Sequence, residues 1–307
     1  MSSAMHESKS PFSVFDCSLA FIMLCIWGSN YAIAKLGLQY VPPFAFMALR
    51  FTLTAAMLLP FISFSTQNIK EVFVYSVLIG LVHFGGIFSA LSIADAATVI
   101  IISQISVPLS LLLATLLLNE KMRWPQIVGV MIAISGVIIF TGNPHFDGGI
   151  KSVIFILIGA AAWSIGTIWM KKKLFISYIM INFWMSVFSV PMLLIASWSL
   201  GENTTSSILD ITPLAGLTVF FQALFVVIIG YGIWNHLIQK YDVKNVAPLT
   251  LLVPFSGLFF AWIILGEKLS LIDVVGGGLT LLGVGFIVLP QALFTNQKVF
   301  NSAIKRK

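Results

Sequence analysis

The stretch ATVIIISQISVPLSLLLATLLL, residues 97–118, holds no acidic or basic side chain. Coiled as an α-helix at about 1.5 Å per residue, it would be roughly 33 Å long, enough to cross the hydrocarbon core of a bilayer. A helix satisfies its own backbone hydrogen bonds, so such a segment can sit in lipid without exposing unpaired polar groups. Nine more predominantly apolar stretches follow or precede it, near 14–35, 44–64, 72–94, 125–141, 149–170, 177–199, 213–239, 246–265 and 272–290. The eighth is overlong and predicts a tilt or a late start. The expected fold class is therefore an all-α membrane protein with ten transmembrane helices.

Composition points the same way. The chain has 307 residues, 59% hydrophobic and 9% charged, with mean hydropathy +1.02. A water-soluble chain carries about a quarter charged residues. The apolar surplus here is too large for one buried core and must face lipid. The first span is too long in its apolar run, and too poor in flanking charge, to read as a cleaved signal. Cys17 and Cys25 stand about 12 Å apart along that helix, beyond disulfide reach, and read as small apolar residues.

The net charge of +6 is distributed by side. With the N-terminus inside, thirteen Lys and Arg fall on the inner side: Lys9, Lys70, Lys121, Arg123, Lys171, Lys172, Lys173, Lys240, Lys244, Lys298, Lys305, Arg306 and Lys307. Three fall outside (Lys35, Lys151 and Lys268), and Arg50 lies within the second span. This bias places both termini in the cytoplasm. It also accounts for the basic balance through topology and anionic headgroups, with no nucleic-acid partner.

The two halves echo each other. Trp27 and Lys35 in span one recur as Trp163 and Lys171 in span six, eight residues apart in each case. Glu120-Lys121, Gly129 and Gly136 recur as Glu267-Lys268, Gly276 and Gly283, each at a shift of 147. An odd number of spans per half makes the second half enter the membrane upside down, the inverted-repeat plan of many secondary transporters. The expected organisation is a cytoplasmic tail (1–13), a first five-helix repeat (14–142), a second inverted one (149–290) and a basic cytoplasmic tail (291–307).

Polar residues inside the spans are the candidate site, because such groups in hydrocarbon either line a cavity or pair with one another. Trp27, Asn30, Tyr31 and Lys35 share one face of span one. Trp27 and Asn30 read as cavity wall, with Tyr31 beside them. Lys35, at a helix end, reads as snorkelling to the outer interface. Gln104 and Trp163 extend the cavity reading, while Ser103, Ser106 and Ser110 read as helix packing. Pro108 in span four, and Pro248 and Pro254 in span nine, mark interrupted helices in both halves.

Arg50 cannot lose its charge, so it needs a partner. Either Asp95 clamps it or it binds a substrate carboxylate, and the residues alone leave both open. It is expected to matter more than Lys35. His83 reads as a hydrogen-bonded packing residue or a titrating group. Tyr231 and Asn235 line an inner vestibule or belong to an aromatic belt. Glu120 and Glu267 either gate the two mouths or solvate helix ends.

No nucleophile elbow, P-loop, zinc signature or clustered Cys/His set is present, so neither an enzyme nor a cofactor or metal is expected. The partners expected are a small-molecule substrate and the lipid bilayer; nothing in the sequence sets an oligomeric state. An intramembrane lipid-modifying enzyme would need an acid/base pair or metal site that the spans lack.

At Trp27-Gly28 with Asn30 and Lys35, at Gly37-Leu38, Pro42-Pro43 and Leu49-Arg50-Phe51, and again at Gly230-Tyr231-Gly232-Ile233-Trp234 and Val246 through Pro254, the sequence resembles the drug/metabolite transporter superfamily. Within it, the sequence is most similar to the EamA group of amino-acid metabolite exporters. Gln104, sixteen residues before Glu120, matches a glutamine of that group. The resemblance covers nearly the whole chain and implies ten helices in inverted repeats in a bacterial inner membrane. It further implies a central cavity bounded mainly by spans one, three, four, six, eight and nine, and export of small amino acids or their metabolites. Asp95 is a charge where that group usually has a neutral turn residue, and the second half matches less well around 177–225. The other transport reading is an importer or exchanger of another small metabolite or drug.

Overall fold

The computed structural model describes residues 13–62, 68–118, 122–142, 148–174, 177–241 and 246–304; Glu120 and the tail before residue 13 lie outside them. Among the described residues there is no β-strand. Ten helices are long and apolar enough to cross a membrane: α1 Val14–Leu38, α2 Pro43–Phe61, α3 Ile69–Ile93, α4 Ala96–Leu117, α5 Trp124–Thr141, α6 Gly149–Lys173, α7 Tyr178–Ser199, α8 Pro213–Lys240, α9 Pro248–Leu265 and α10 Leu271–Leu289. The last of these runs on as helix to Ile304, so most of the segment expected as a tail continues α10.

Local chemistry sets where several of these helices begin. The hydroxyls of Ser13, Ser177 and Thr212 accept from the backbone N–H groups of Asp16, Met180 and Ala215, at 3.1, 3.3 and 3.3 Å. Each satisfies a donor that the first helical turn would otherwise leave bare. Pro43 and Pro213 occupy first-turn positions, where a missing N–H costs nothing.

Four of the helices are irregular, and in corresponding places. In α3 the winding loosens to π-helix over Ser76–His83, and in α8 over Gln222–Gly230. The ends of these segments, His83 and Gly230, differ by 147, the spacing already seen between the halves. Helix α4 breaks at Gln104–Ile105, where Gln104 and Ile105 donate to the carbonyls three residues back. Helix α9 opens as a tight 3₁₀ turn over Ala247–Leu252 before Val253–Leu265 becomes α-helical. Pro108 and Pro254 each sit just past the irregular turn, because proline cannot donate back to the preceding turn.

Packing follows the same correspondence. α5 crosses α10 at glycines, so that the backbones touch. A Cβ added at Gly129 would stand 2.7 Å from the carbonyl oxygen of Gly283, and one added at Gly136 would stand 2.6 Å from that of Gly276. The numbering rises along one helix as it falls along the other, so the two run antiparallel. The four glycines are the two pairs spaced by 147 in the sequence, and each contact joins a member of one pair to a member of the other. Elsewhere α1 packs on α9 as α6 packs on α4, and α2 packs on α7. Leu116, Ile138, Ile195, Leu217 and Leu282 point outward and are largely exposed, the surface that lipid covers.

Candidate functional site

The interruptions of α3, α4, α8 and α9 surround two adjoining cavities in the middle of the bundle. The smaller, of about 240 Å³, is lined by Trp27, Asn30, Tyr31, Arg50, His83, Gln104, Trp163 and Tyr231 among others. The larger, of about 560 Å³, shares Trp27, Arg50, Phe84, Gln104, Trp163 and Tyr231, and continues past Tyr178, Asn182, Trp234 and Asn235. A third hollow of about 580 Å³ opens it toward one end of α8, where Asn235 and His236 face Ser177, Tyr178 and Asn182. Trp27, Asn30, Tyr31, Gln104, Trp163, Tyr231 and Asn235 thus belong to one connected space, together with Arg50 and His83.

The walls have an order set by local structure. Trp27 Nε1 donates to the carbonyl of Val226 at 3.4 Å, within the π-helical part of α8. Gly230 lies flush against that indole, and any side chain there would occupy the same space. The Trp27 ring lies 5.0 Å from that of Tyr231 and 5.8 Å from that of Trp234, while Tyr231 and Tyr178 are 5.4 Å apart. These rings form a continuous aromatic wall from α1 through α8 to α7. Opposite, His83 meets Trp163 at 4.9 Å. Its Nδ1 stands 2.9 Å from the carbonyl of Gly159. A carbonyl only accepts, so Nδ1 carries the hydrogen, and this bond fixes the ring in the cavity wall. Gln104 Nε2 donates to Ile100 at 3.2 Å beside the α4 break.

Arg50 is 2% exposed and is not clamped by Asp95. Its guanidinium carbon lies 4.6 Å from the centre of the Phe84 ring, and 5.7 and 5.8 Å from those of Phe51 and Phe88. Asp95 instead pairs with Lys35 at 2.9 Å and is partly exposed, so it is neither buried nor Arg50's partner. Lys35 does not snorkel away from the protein. Its ammonium also donates to the Ala94 carbonyl at 2.9 Å and to Glu267 at 3.3 Å. Lys35 reaches the α3–α4 turn that carries Asp95, whereas Arg50 is buried among aromatic rings.

Glu267 solvates a helix end, but one belonging to another helix. Its two oxygens accept from the backbone N–H groups of Ala96 and Ala97 at 2.8 and 2.9 Å, capping the positive end of α4. One carboxylate therefore ties α9 to α4 and to α1. Glu120, the other gate candidate, lies outside the described residues.

At the opposite end of α1 the structure shows a cluster not singled out in the sequence. Asp16 is fully buried and accepts from Lys240 Nζ at 2.6 Å and Tyr241 Oη at 2.7 Å. His236 Nε2 stands 3.0 Å away, and the Ser13 hydroxyl also bonds the carboxylate. The legible signals were Ser13 three residues before Asp16, a capping spacing, and His236 four before Lys240 on one helix face. Glu202 was missed too; it accepts from the N–H groups of Phe44 and Ala45 at the start of α2.

A model of the EamA-like transporter family matches the chain twice, over residues 15–142 and 150–289. The chain belongs to the EamA-like transporter family. Among similar curated proteins are a "Probable amino-acid metabolite efflux pump" of Salmonella typhimurium and another of Escherichia coli. Each is 28% identical over 277 residues, covering 87% of this chain and 93% of the relative. The "Uncharacterized inner membrane transporter YedA" of Escherichia coli is 25% identical over 292 residues, covering 93% of this chain and 94% of the relative. A solved crystal structure with a TM-score of 0.62 and 17% identity covers 91% of this chain and 98% of its own, and shares the fold. This EamA-like protein is accordingly a multi-pass inner-membrane transporter, not an enzyme.

Proposed function

We propose that this EamA-like transporter exports small amino acids or amino-acid metabolites by alternating access between two inverted five-helix repeats. The observation that carries the reading is the central cavity, where Asn30 and Gln104 offer neutral amides among Trp27, Trp163 and Tyr231. Amides serve both the ammonium and the carboxylate of a zwitterion, and the rings take up a modest side chain. A sugar phosphate calls for several cavity cations, and Arg50 is the one Lys or Arg lining it. A lipophilic cation calls for a cavity carboxylate, and none of the lining residues is Asp or Glu. The efflux relatives point the same way.

The inverted arrangement draws support from the reciprocal antiparallel crossing of α5 and α10, and from the matched π-helical turns of α3 and α8. The charge types of the Lys35, Asp95 and Glu267 cluster also recur in sequence as Lys171, Asp242 and Glu120. With the basic flanks inside, the cavity opens toward the cytoplasm past Asn235 and His236, and Lys35, Asp95 and Glu267 close the outer end. This is the state ready to load from within.

Orientation is tested by reporter fusions. Fusions after residues 70, 122, 172 and 242 should report from the cytoplasm, and fusions after 147 and 205 from outside. A cytoplasmic report at 205 would remove the inverted repeat. For function, overexpression should raise resistance to a toxic amino-acid analogue and lower its intracellular pool. Asn30→Ala and Gln104→Ala should weaken that resistance with protein levels intact. Unchanged resistance to every analogue would sink the amino-acid reading.

A further inference from the structure

Among the described residues lining the central cavity, Arg50, Asn30 and Ser186 each keep a buried polar atom without a hydrogen-bond partner; Arg50 and Asn30 share the smaller space. Arg50 lines both halves of the cavity, and its Nε and Nη1 donate to nothing among the described residues. The rings of Phe84, Phe51 and Phe88 surround the guanidinium. A ring attracts the cation electrostatically, but it does not serve as a carboxylate does for in-plane N–H donors. An arginine kept for structure alone would be expected to spend those donors on carbonyls or a carboxylate, since the group stays charged and is costly to bury unpaired. On the same smaller cavity, Asn30 Oδ1 accepts from nothing among the described residues. Its own backbone carbonyl is occupied by Gln222 Nε2 at 3.0 Å.

Two unused donors on α2 and one unused acceptor on α1 therefore belong to residues that line one small space, which has no acidic side chain in its lining. An α-amino acid supplies the missing halves: a planar carboxylate for the guanidinium fork and an ammonium for the amide oxygen. We infer that Arg50 is the residue that binds the substrate carboxylate, with Asn30 Oδ1 receiving the α-ammonium. This rests on the amino-acid reading above and narrows it to substrates whose carboxylate is free. Amides, esters and decarboxylated amines of the same side chain are excluded. Trp27 and Tyr231, next to Asn30, leave an aromatic face for the ammonium as well.

The test uses the purified full-length protein in proteoliposomes and a counterflow panel of leucine, phenylalanine and cysteine. The amino acid that moves is competed with its own amide, with the amine lacking the carboxylate, and with the acid lacking the ammonium. A charge-assisted contact of this kind predicts that the amide and the amine compete at least about tenfold more weakly than the parent. Arg50→Gln should erase the preference for the free acid over the amide, and Arg50→Lys should keep part of it. An amide that competes as well as the parent overturns the assignment, as does a folded Arg50→Gln protein with the native preference. Where Arg50→Gln does not fold, the competitor series on the native protein decides alone. If no amino acid of the panel moves, the amino-acid reading falls and this assignment with it. That failure is distinct from transport that ignores the carboxylate.

Discussion

Leucine in place of Gly136 or Gly283 is expected to cost the folded transporter about 3 kcal/mol or more, because the added atoms meet backbone rather than movable side chains. At Gly136 even a Cβ would press on the backbone of Gly276 and Thr280, and at Gly283 on that of Gly129 and Ala133. Backbone in a packed helix pair cannot rotate aside, so α5 and α10 must separate. Leucine at Gly278 or Gly285 is the internal control. Nothing lies within 4 Å of a Cβ at either site, and leucine favours helix over glycine by somewhat under about 1 kcal/mol. Thermal unfolding in detergent should therefore fall sharply for the first pair and stay level or rise for the second. Equal effects at all four positions would mean that the crossing is not where the halves meet.

The second large effect is expected at Glu267. Its carboxylate holds the N–H groups of Ala96 and Ala97 and the Lys35 ammonium together. Glu267→Ala strips the cap from α4 and removes one of the two acidic partners of Lys35, at the end that the proposed inward-facing state keeps closed. Loss of a cap alone costs about 0.5–2 kcal/mol, and each 1.4 kcal/mol shifts a two-state balance about tenfold. The balance should move toward the outward-open state. A cysteine placed at Ala34, which is fully buried beside Lys35, should then label from outside with an impermeant maleimide several-fold faster, in a background with Cys17 and Cys25 replaced by serine. Glu267→Gln, which keeps one acceptor for the α4 end, should fall between. Unchanged labelling would show that the cluster does not hold the outer end shut.

Much of the fold was legible because lipid imposes a rule on every residue of a span. The charge-free run at 97–118 and its nine counterparts coincide with the ten helices within a few residues. The glycines at a spacing of 147 proved to be contact points between helices, since only bare backbone permits so close a crossing. The face of Trp27, Asn30 and Tyr31 was readable from helical spacing, and Gln104 from its size and its depth within span four.

Pairings between distant elements were not readable. Lys35 lies 60 residues from Asp95 and 232 from Glu267, and nothing in the local pattern chooses those partners over Arg50. Asp16 was overlooked because a carboxylate in a first turn usually needs no partner, whereas here α8 returns His236 and Lys240 to it across 220 and 224 residues. The π-helical turns of α3 and α8 carry no composition signal, yet they set where Trp27 finds its acceptor.

On the proposed function, a small zwitterion passes through the cavity bounded by Trp27, Asn30, Arg50 and Gln104. The measurement that bears on it most directly is counterflow into proteoliposomes preloaded with unlabelled amino acid. Radiolabelled leucine, phenylalanine or cysteine should show a transient overshoot that Asn30→Ala and Gln104→Ala reduce while the protein remains folded and inserted. No overshoot with any amino acid, alongside a clear one with a sugar phosphate or a lipophilic cation, would contradict the account.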